Sequence, residues 1–289
     1  LSCWNRLLFS HTLLPTVKAA SSGPLSAPPR ESFFFPCIDG KEAGMATNYD
    51  EIAEEYQRAK QQPWRLHLEH FTLFKLLGDL QGKSVLDLAC GEGFYSRFLK
   101  RRGAARVVGV DISEGMIELA RREEAKTTLG IDYRVHDVRT LALDETFDVV
   151  VAAYLLNYAQ TGEELLTMCT AITRHLKPGC RFVTVNNNPR QSEEYFPTTR
   201  AYGFIKRAEG PVREGTPVDY VFYLDEESFA ITNYHLSVAT HEQALKAAGF
   251  RQISWHDPEL SPEVVGDAER QYWSAFLAHP PVVFLDCVK

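Results

Sequence analysis

The sequence predicts an α/β protein, with a mostly parallel sheet covered by helices on both faces, and two observations carry this. Over residues 84–185, short apolar runs alternate with segments whose apolar residues recur every three or four positions. Uninterrupted apolar runs suit strands buried on both faces, and the helical segments between them suit the crossovers that parallel strands require. The second observation is that the first two runs each lead into a carboxylate and small residues. Asp87 precedes Ala89-Cys90-Gly91-Glu92-Gly93, and Asp111 precedes Ile112-Ser113. Open parallel sheets carry their ligand crevice at such strand ends.

Taken in order, residues 1–44 stand apart. Ser/Pro/Gly patches such as Ser21-Ser22-Gly23-Pro24 and Ala27-Pro28-Pro29 separate short apolar scraps, and the first 30 residues carry Arg6, Lys18 and Arg30 but no acid. Such a segment is either a targeting leader or upstream sequence foreign to the domain. The second reading is preferred, because the pattern of a domain (45–289) begins abruptly at Met45. Leu66, Leu68, Phe71, Leu73, Phe74, Leu76 and Leu77 then show helical spacing, and Gly78 and Gly82 bracket a loop. Strands are expected over 84–88, 106–110, 131–135, 147–152 and 180–185. Helices are expected over 95–101, from the cap Ser113 to about 127, and over 163–176. Beyond Asn188 the pattern loosens. Residues 218–224 and 229–238 read as an antiparallel pair turning at 225–228, 240–248 as a helix stopped by Gly249, and 251–255 and 282–288 as further strands.

Of the 289 residues, 45% are apolar and 24% charged, and the formal net charge is −7. This is the composition of a soluble globular protein with no general attraction to nucleic acid or acidic lipid. No apolar run is long enough to cross a bilayer. The six cysteines (Cys3, Cys37, Cys90, Cys169, Cys180, Cys287) form no CxxC pair and no Cys/His cluster, so no metal is expected. They read as free thiols in a reducing, cytoplasmic setting. Monomer and homodimer are equally compatible with the sequence.

The strongest local signal is Val85-Leu86-Asp87-Leu88-Ala89-Cys90-Gly91-Glu92-Gly93-Phe94-Tyr95. Gly91 and Gly93 allow a tight turn and close approach of backbone to a ligand at the start of a helix. The pattern is AxGxG rather than the GxGxxG of a dinucleotide loop. Asp87 beside it would repel a pyrophosphate and attract a cationic amino group. Asp111, 20 residues after Gly91, can accept both hydrogen bonds of a ribose diol. Loop and acids together describe a nucleoside attached to an amino acid. An NAD-linked oxidoreductase shares the fold and Asp111 but wants room for a pyrophosphate and a third glycine. Either aspartate could alternatively serve only as a helix cap.

With these motifs the chain resembles the class I S-adenosylmethionine-dependent methyltransferases, in their small-molecule group, over residues 49–288. The resemblance implies a Rossmann-like, seven-stranded sheet with one antiparallel edge strand, 282–288. It also implies an N-terminal helical lid at about 48–80 and a substrate-side insertion at about 189–240. S-adenosylmethionine would be the methyl donor and S-adenosylhomocysteine the product. Asp87, Ala89, Gly91 and Gly93 would lie along the methionine part, Asp111 at the ribose, and Ile112 and Met116 at the adenine. Asp137 and Val138 would meet the adenine edge, Ala153 and Tyr154 the methionine end, and Tyr49 or Tyr56 would close over it. Tyr154-Leu155-Leu156-Asn157-Tyr158 and Asn186-Asn187-Asn188 make the chain most similar to toxoflavin-type (azapteridine) N-methyltransferases. Tyr158, Asn186, Phe222 and Trp255, near strand ends or in the hairpin, are the candidates for a flat acceptor. His136, His235 and Tyr154 are the candidates for positioning it or taking its proton. The implied reaction is transfer to nitrogen, with oxygen second, on a small heteroaromatic metabolite. A non-catalytic, partner-activating protein with the same loop is the alternative.

Overall fold

The buried runs become strands because each presents apolar side chains to both sides at once. In the computed structural model, which describes residues 58–224 and 227–289, β1 (Ser84–Leu88), β2 (Arg106–Asp111), β3 (Asp132–Val135), β4 (Phe147–Ala153) and β5 (Leu176–Asn187) are mutually parallel, in the order β3-β2-β1-β4-β5. The 1–44 segment, Tyr49 and Tyr56 lie outside the described residues. Alternate positions supply the two faces. Val85, Val107, Val149 and Val151 pack on one side with Leu73, Leu77, Leu99 and Ile117. Leu86, Leu88, Val108 and Val150 pack on the other with Leu165, Cys169, Ile172 and Leu245.

The helices follow the expected segments. A π-helical turn, Arg65–His70, runs into α1 (Phe71–Leu77), followed by α2 (Phe94–Arg101), α3 (Glu114–Lys126) and α4 (Gly162–Arg174). After them come α5 (Val238–Ala247) and α6 (Asp267–Ala278). Ser113 caps α3 as expected, its hydroxyl accepting the Met116 N–H at 3.0 Å. Thr161 and Ser237 cap α4 and α5 in the same way. α4 stops at Arg174, and Leu176 already pairs with Phe147 across an irregularity in the ladder, so β5 starts earlier than its apolar run suggests.

The last two strands, which follow the proline-flanked and glycine-stopped segments, complete a seven-stranded sheet. β10 (Val282–Val288) is the reversed strand at the expected residues, and it runs antiparallel to both β5 and β9 (Gln252–His256). It stands one place in from the margin, and β9 forms the edge.

A second sheet is built from β6 (Phe204–Ala208), β7 (Pro217–Leu224) and β8 (Glu227–Tyr234), antiparallel in that order. The β7/β8 pair was legible in the sequence. β6, the 3₁₀ segment Glu193–Tyr202 and α6 were not. The inner face of this sheet is aromatic: Phe204 stacks on Tyr220 and Phe222 at 6.0 and 5.8 Å between centroids, and Trp64 lies 4.9 Å from Phe204. The sheet is tied to the loops after β4 and β5, by Asn157 Nδ2 donating to Asn233 Oδ1 at 3.3 Å and Lys206 Nζ to Gln191 Oε1 at 3.0 Å. Among the described residues no helix is long and apolar enough to cross a membrane.

Candidate functional site

The chain leaves β1 through three residues with left-handed backbone: Ala89 (φ 53°), Gly91 (φ 56°) and Gly93 (φ 79°). Ala89 adopts this conformation against the preference of a residue with a Cβ. The Gly91 N–H donates to Asp111 Oδ2 at 2.8 Å, and the Ser113 N–H donates to Asp111 Oδ1 at 3.0 Å. One carboxylate at the end of β2 therefore fixes the β1 loop against the start of α3. The Ile112 N–H also acts on this carboxylate, which leaves about one of its four lone-pair sites for a further donor.

The two glycines have different reasons. A methyl on Gly91 would point into open space, whereas one on Gly93 would overlap the phenol of Tyr133, whose ring also packs on Gly109. Gly93 is thus required by the packing of a β3 side chain.

Asp87 is also set by packing. It is 1% exposed, accepts the Ser96 hydroxyl at 2.6 Å, and does not line the cavity. It shares the strand face of Val85, so it points behind the loop toward α2. Burial pushes its carboxyl up to about 7, against the opposing effects of Ser96 and Lys60. Burial also raises Asp111, although the N–H bonds it accepts pull the other way.

Beyond the ends of β1, β2 and β4 opens a cavity of about 250 Å³. Ala89, Gly91 and Asp111 form its back, Ile112, Met116 and Val138 an apolar side, and Ala153 and Tyr154 the far end. Ile112 is 61% exposed, an apolar surface offered to the opening. His136 and Asp137 stand at the rim. The Asp137 carboxylate is already engaged: it takes Arg139 Nη2 at 2.6 Å and Nε at 3.0 Å, and caps the short turn Val138–Thr140. Arg139 holds its carboxyl below the usual range. The ring of exposed His136 has its Nδ1 3.0 Å from the Asp137 carbonyl oxygen.

Tyr154 is the second non-glycine residue at positive φ (65°). Its hydroxyl donates to Glu69, as does that of Tyr95, and Glu69 pairs with Arg65 at 3.0 Å. Arg65 and Glu69 side chains are 3% and 0% exposed. The π-turn aligns them at i and i+4, among Leu66, His67, Leu68 and His70. Burial first, and then the Glu69 charge, raise the Tyr154 phenol well above its ordinary value. Tyr154 is therefore a donor with a fixed ring, and not a proton acceptor. Arg65, Glu69, Tyr95 and the buried Lys60, which also lines the cavity, were missed. The signal available was the pair Arg65/Glu69 interrupting a row of leucines.

Two smaller cavities adjoin the large one. Tyr158 and Phe222 line the first, with Trp64, Tyr220 and Tyr154. Asn186 and His235 line the second. Tyr154 and Tyr158 are shared between the large cavity and the first small one, and Tyr234 between the large and the second. Burial lowers the His235 imidazole, keeping it neutral. Trp255 belongs to none of these cavities: on the edge strand β9 its ring packs edge-on to His241 at 5.9 Å. This corrects its expected role at the acceptor. Among the described residues no group of three or more His, Cys, Asp or Glu is placed to hold a metal.

Residues 85–179 match the family model described as a methyltransferase domain. Among curated proteins, the ubiquinone biosynthesis O-methyltransferase of Coxiella burnetii (strain Dugway 5J108-111) is 31% identical over 146 residues, 48% of this chain and 61% of that protein. The N-demethylindolmycin N-methyltransferase of Streptomyces griseus is 27% identical over 170 residues, 59% of this chain and 70% of that protein. The chain thus spans about three-fifths of the length of the first of these relatives. Among solved structures, an S-adenosylmethionine dependent methyltransferase from Mesorhizobium loti aligns with a TM-score of 0.54 at 23% identity, over 76% of this chain and 97% of that one. The CcbJ methyltransferase from Streptomyces caelestis aligns with a TM-score of 0.60 at 18% identity, over 84% and 97%. These likenesses show the fold.

Proposed function

We propose that this chain, which has the fold of a class I Rossmann-like methyltransferase, transfers the methyl group of S-adenosylmethionine to a small molecule. The observation that carries the reading is the Asp111 carboxylate, bonded to the Gly91 and Ser113 N–H groups at the back of a 250 Å³ cavity. A carboxylate so fixed, with a lone pair left over, suits a ribose hydroxyl. The apolar side of Ile112, Met116 and Val138 suits a flat base, and the left-handed Gly91 leaves space where a side chain would intrude. Lys60 is the buried cation at this wall, and its charge acts on both Asp87 and Asp111.

Bound there, S-adenosylmethionine supplies an electrophilic methyl group. The acceptor's lone pair forms the new bond to carbon in line as the carbon–sulfur bond breaks, and S-adenosylhomocysteine is left. The sulfonium charge is lost in this step, so alignment and exclusion of water contribute more than stabilisation of new charge. Tyr154, held by Glu69, would fix the wall between donor and acceptor. His235, neutral and half-buried, would take a proton where the acceptor carries one to lose.

The acceptor would enter between the aromatic face of the β6–β8 sheet and Tyr158, which suits a flat heteroaromatic ring of the azapteridine kind. Nitrogen is the preferred target and oxygen the second. Relatives of both kinds, an N-methyltransferase and an O-methyltransferase, support the reaction without separating the two. Calorimetric titration with S-adenosylhomocysteine, followed by turnover of methyl-labelled S-adenosylmethionine against a metabolite panel, tests the proposal. Binding of NADH in preference to S-adenosylhomocysteine, or no methyl transfer into any metabolite pool, would overturn it.

A further inference from the structure

The inner face of the β6–β8 sheet carries Phe204, Tyr220 and Phe222 beside Val218, Ile231 and Asn233, and Lys206 lies among them. This lysine is paired in register with Tyr220 and is 5% exposed. Its ammonium donates to Gln191 Oε1 at 3.0 Å and lies 4.4 Å from the centroid of the Phe196 ring. Among the described residues no carboxylate lies within ion-pair distance of it, and desolvation is the one influence acting on its pKa, held down at about 7. A buried ammonium without a counter-charge is costly, and its three donors are only partly used.

The cavity around Lys206 holds the complementary half of a recognition site. Asn186, 2% exposed at the end of β5, has its Oδ1 buried without a hydrogen-bond partner, and so has the neighbouring Asn187. Lys206, Asn186 and Asn187 all line one cavity of about 20 Å³, room for a functional group rather than a whole molecule. Asn187 also lines the aromatic cavity of Trp64, Tyr158, Tyr220 and Phe222, which abuts the large one through Tyr154 and Tyr158.

We propose that the methyl acceptor is a flat organic acid, with its carboxylate in the second cavity, paired with Lys206, and its ring extending past Tyr234 into the large cavity. Asn186 and Asn187 take hydrogen bonds from N–H or O–H groups flanking the carboxylate. The bound carboxylate supplies the counter-charge that the fold omits. This assignment rests on the proposed methyltransferase reading, with the acceptor reaching the donor in the large cavity from the second one.

The test compares benzoate, 4-hydroxybenzoate and indole-3-carboxylate, each against its primary carboxamide. Binding is measured by calorimetry at pH 6.5, where Lys206 is mostly protonated, on the whole chain with and without saturating S-adenosylhomocysteine. At least one acid is expected to bind tenfold or more tightly than its amide. That preference should fall to within twofold in both Lys206→Met and Lys206→Gln, with S-adenosylhomocysteine affinity unchanged in these variants. Equal binding of every acid and its amide, or a preference that survives both substitutions, would overturn the proposal. Failure of the unsubstituted chain to bind S-adenosylhomocysteine would count against the cofactor reading instead, while the acid-to-amide comparison without it still reads the lysine.

Discussion

Replacing Asp87 by Asn should stabilise the fold, and the gain should depend on pH in a defined direction. Asp87 is fully enclosed and its carboxyl is held up at about 7 against an ordinary 3.8. Between these values the folded chain binds a proton that the unfolded chain has released, so stability falls as pH rises through this window. Below pH 4 both states are protonated and the residue costs nothing. Above pH 7 the fold carries the whole cost of a buried carboxylate. At about 1.4 kcal/mol per pH unit, the interval corresponds to about 4 kcal/mol. Asn keeps an oxygen to accept the Ser96 hydroxyl, which now lies 2.6 Å from the carboxylate, so the packing survives. The value of about 7 already contains the opposing pull of Lys60 and Ser96, so about 4 kcal/mol is the full gain expected above pH 7. Urea unfolding of both proteins at pH 4, 6, 7.5 and 9 measures it. The midpoint of Asp87→Asn should match that of the parent at pH 4 and exceed it increasingly to pH 8. A difference independent of pH, or a variant that loses most stability at high pH, would refute the burial argument.

Asp111→Ala should weaken S-adenosylhomocysteine binding tenfold or more, the scale of one hydrogen bond to a charged group, read by calorimetry. Gly91→Ala and Gly93→Ala should separate. The first places a methyl in open cavity space, costing about 1 kcal/mol of backbone strain but more than tenfold in nucleoside affinity. The second overlaps Tyr133 and should cost at least about 2 kcal/mol in urea unfolding. Glu69→Gln leaves Arg65 buried without the carboxylate it pairs with at 3.0 Å. It should destabilise the chain by about 3 kcal/mol, with a larger effect on kcat than on the cofactor Kd because Tyr154 loses its anchor.

The sheet and the loop were readable because they rest on local rules. Strands covered on both faces need unbroken apolar runs, and a turn at positive φ selects small residues. What the sequence could not show is which way a residue looks once its neighbours come from elsewhere. Gly93 is set by Tyr133, 40 positions on, a distance at which no spacing rule operates. The parity of Asp87 with Val85 did carry its inward direction, but its place before a glycine loop suggested the crevice. Trp255 looked like an acceptor contact because it ends a strand. That strand proved to be the edge of the sheet, where β9 has no neighbour on its far side. β6 went unread because Phe204-Ile205-Lys206-Arg207-Ala208 carries adjacent cations, which mark a solvated strand in most settings. Register with β7 turns Lys206 inward and leaves Arg207 outside.

These differences divide the cavities by origin. The large cavity is lined at its back by the loop after β1 and by the Asp111 carboxylate at the end of β2, so altering it disturbs the sheet itself. Of the two smaller ones, the first takes most of its lining from β7, β8 and the π-turn, whereas the second is lined mainly by the end of β5 and the loops 188–191 and 235–236, with Lys206, Val218 and Tyr234 from the second sheet; that sheet is attached by bonds such as Asn157 to Asn233 and Lys206 to Gln191. Side chains there can change without unseating the donor side. Under the proposed function, an acceptor preference would therefore be written where general folding rules constrain the sequence least. It follows that the feature most informative about the acceptor is one that the fold itself does not need. Lys206 meets that condition: a methionine of similar length would fill the same space on the aromatic face without the desolvation cost.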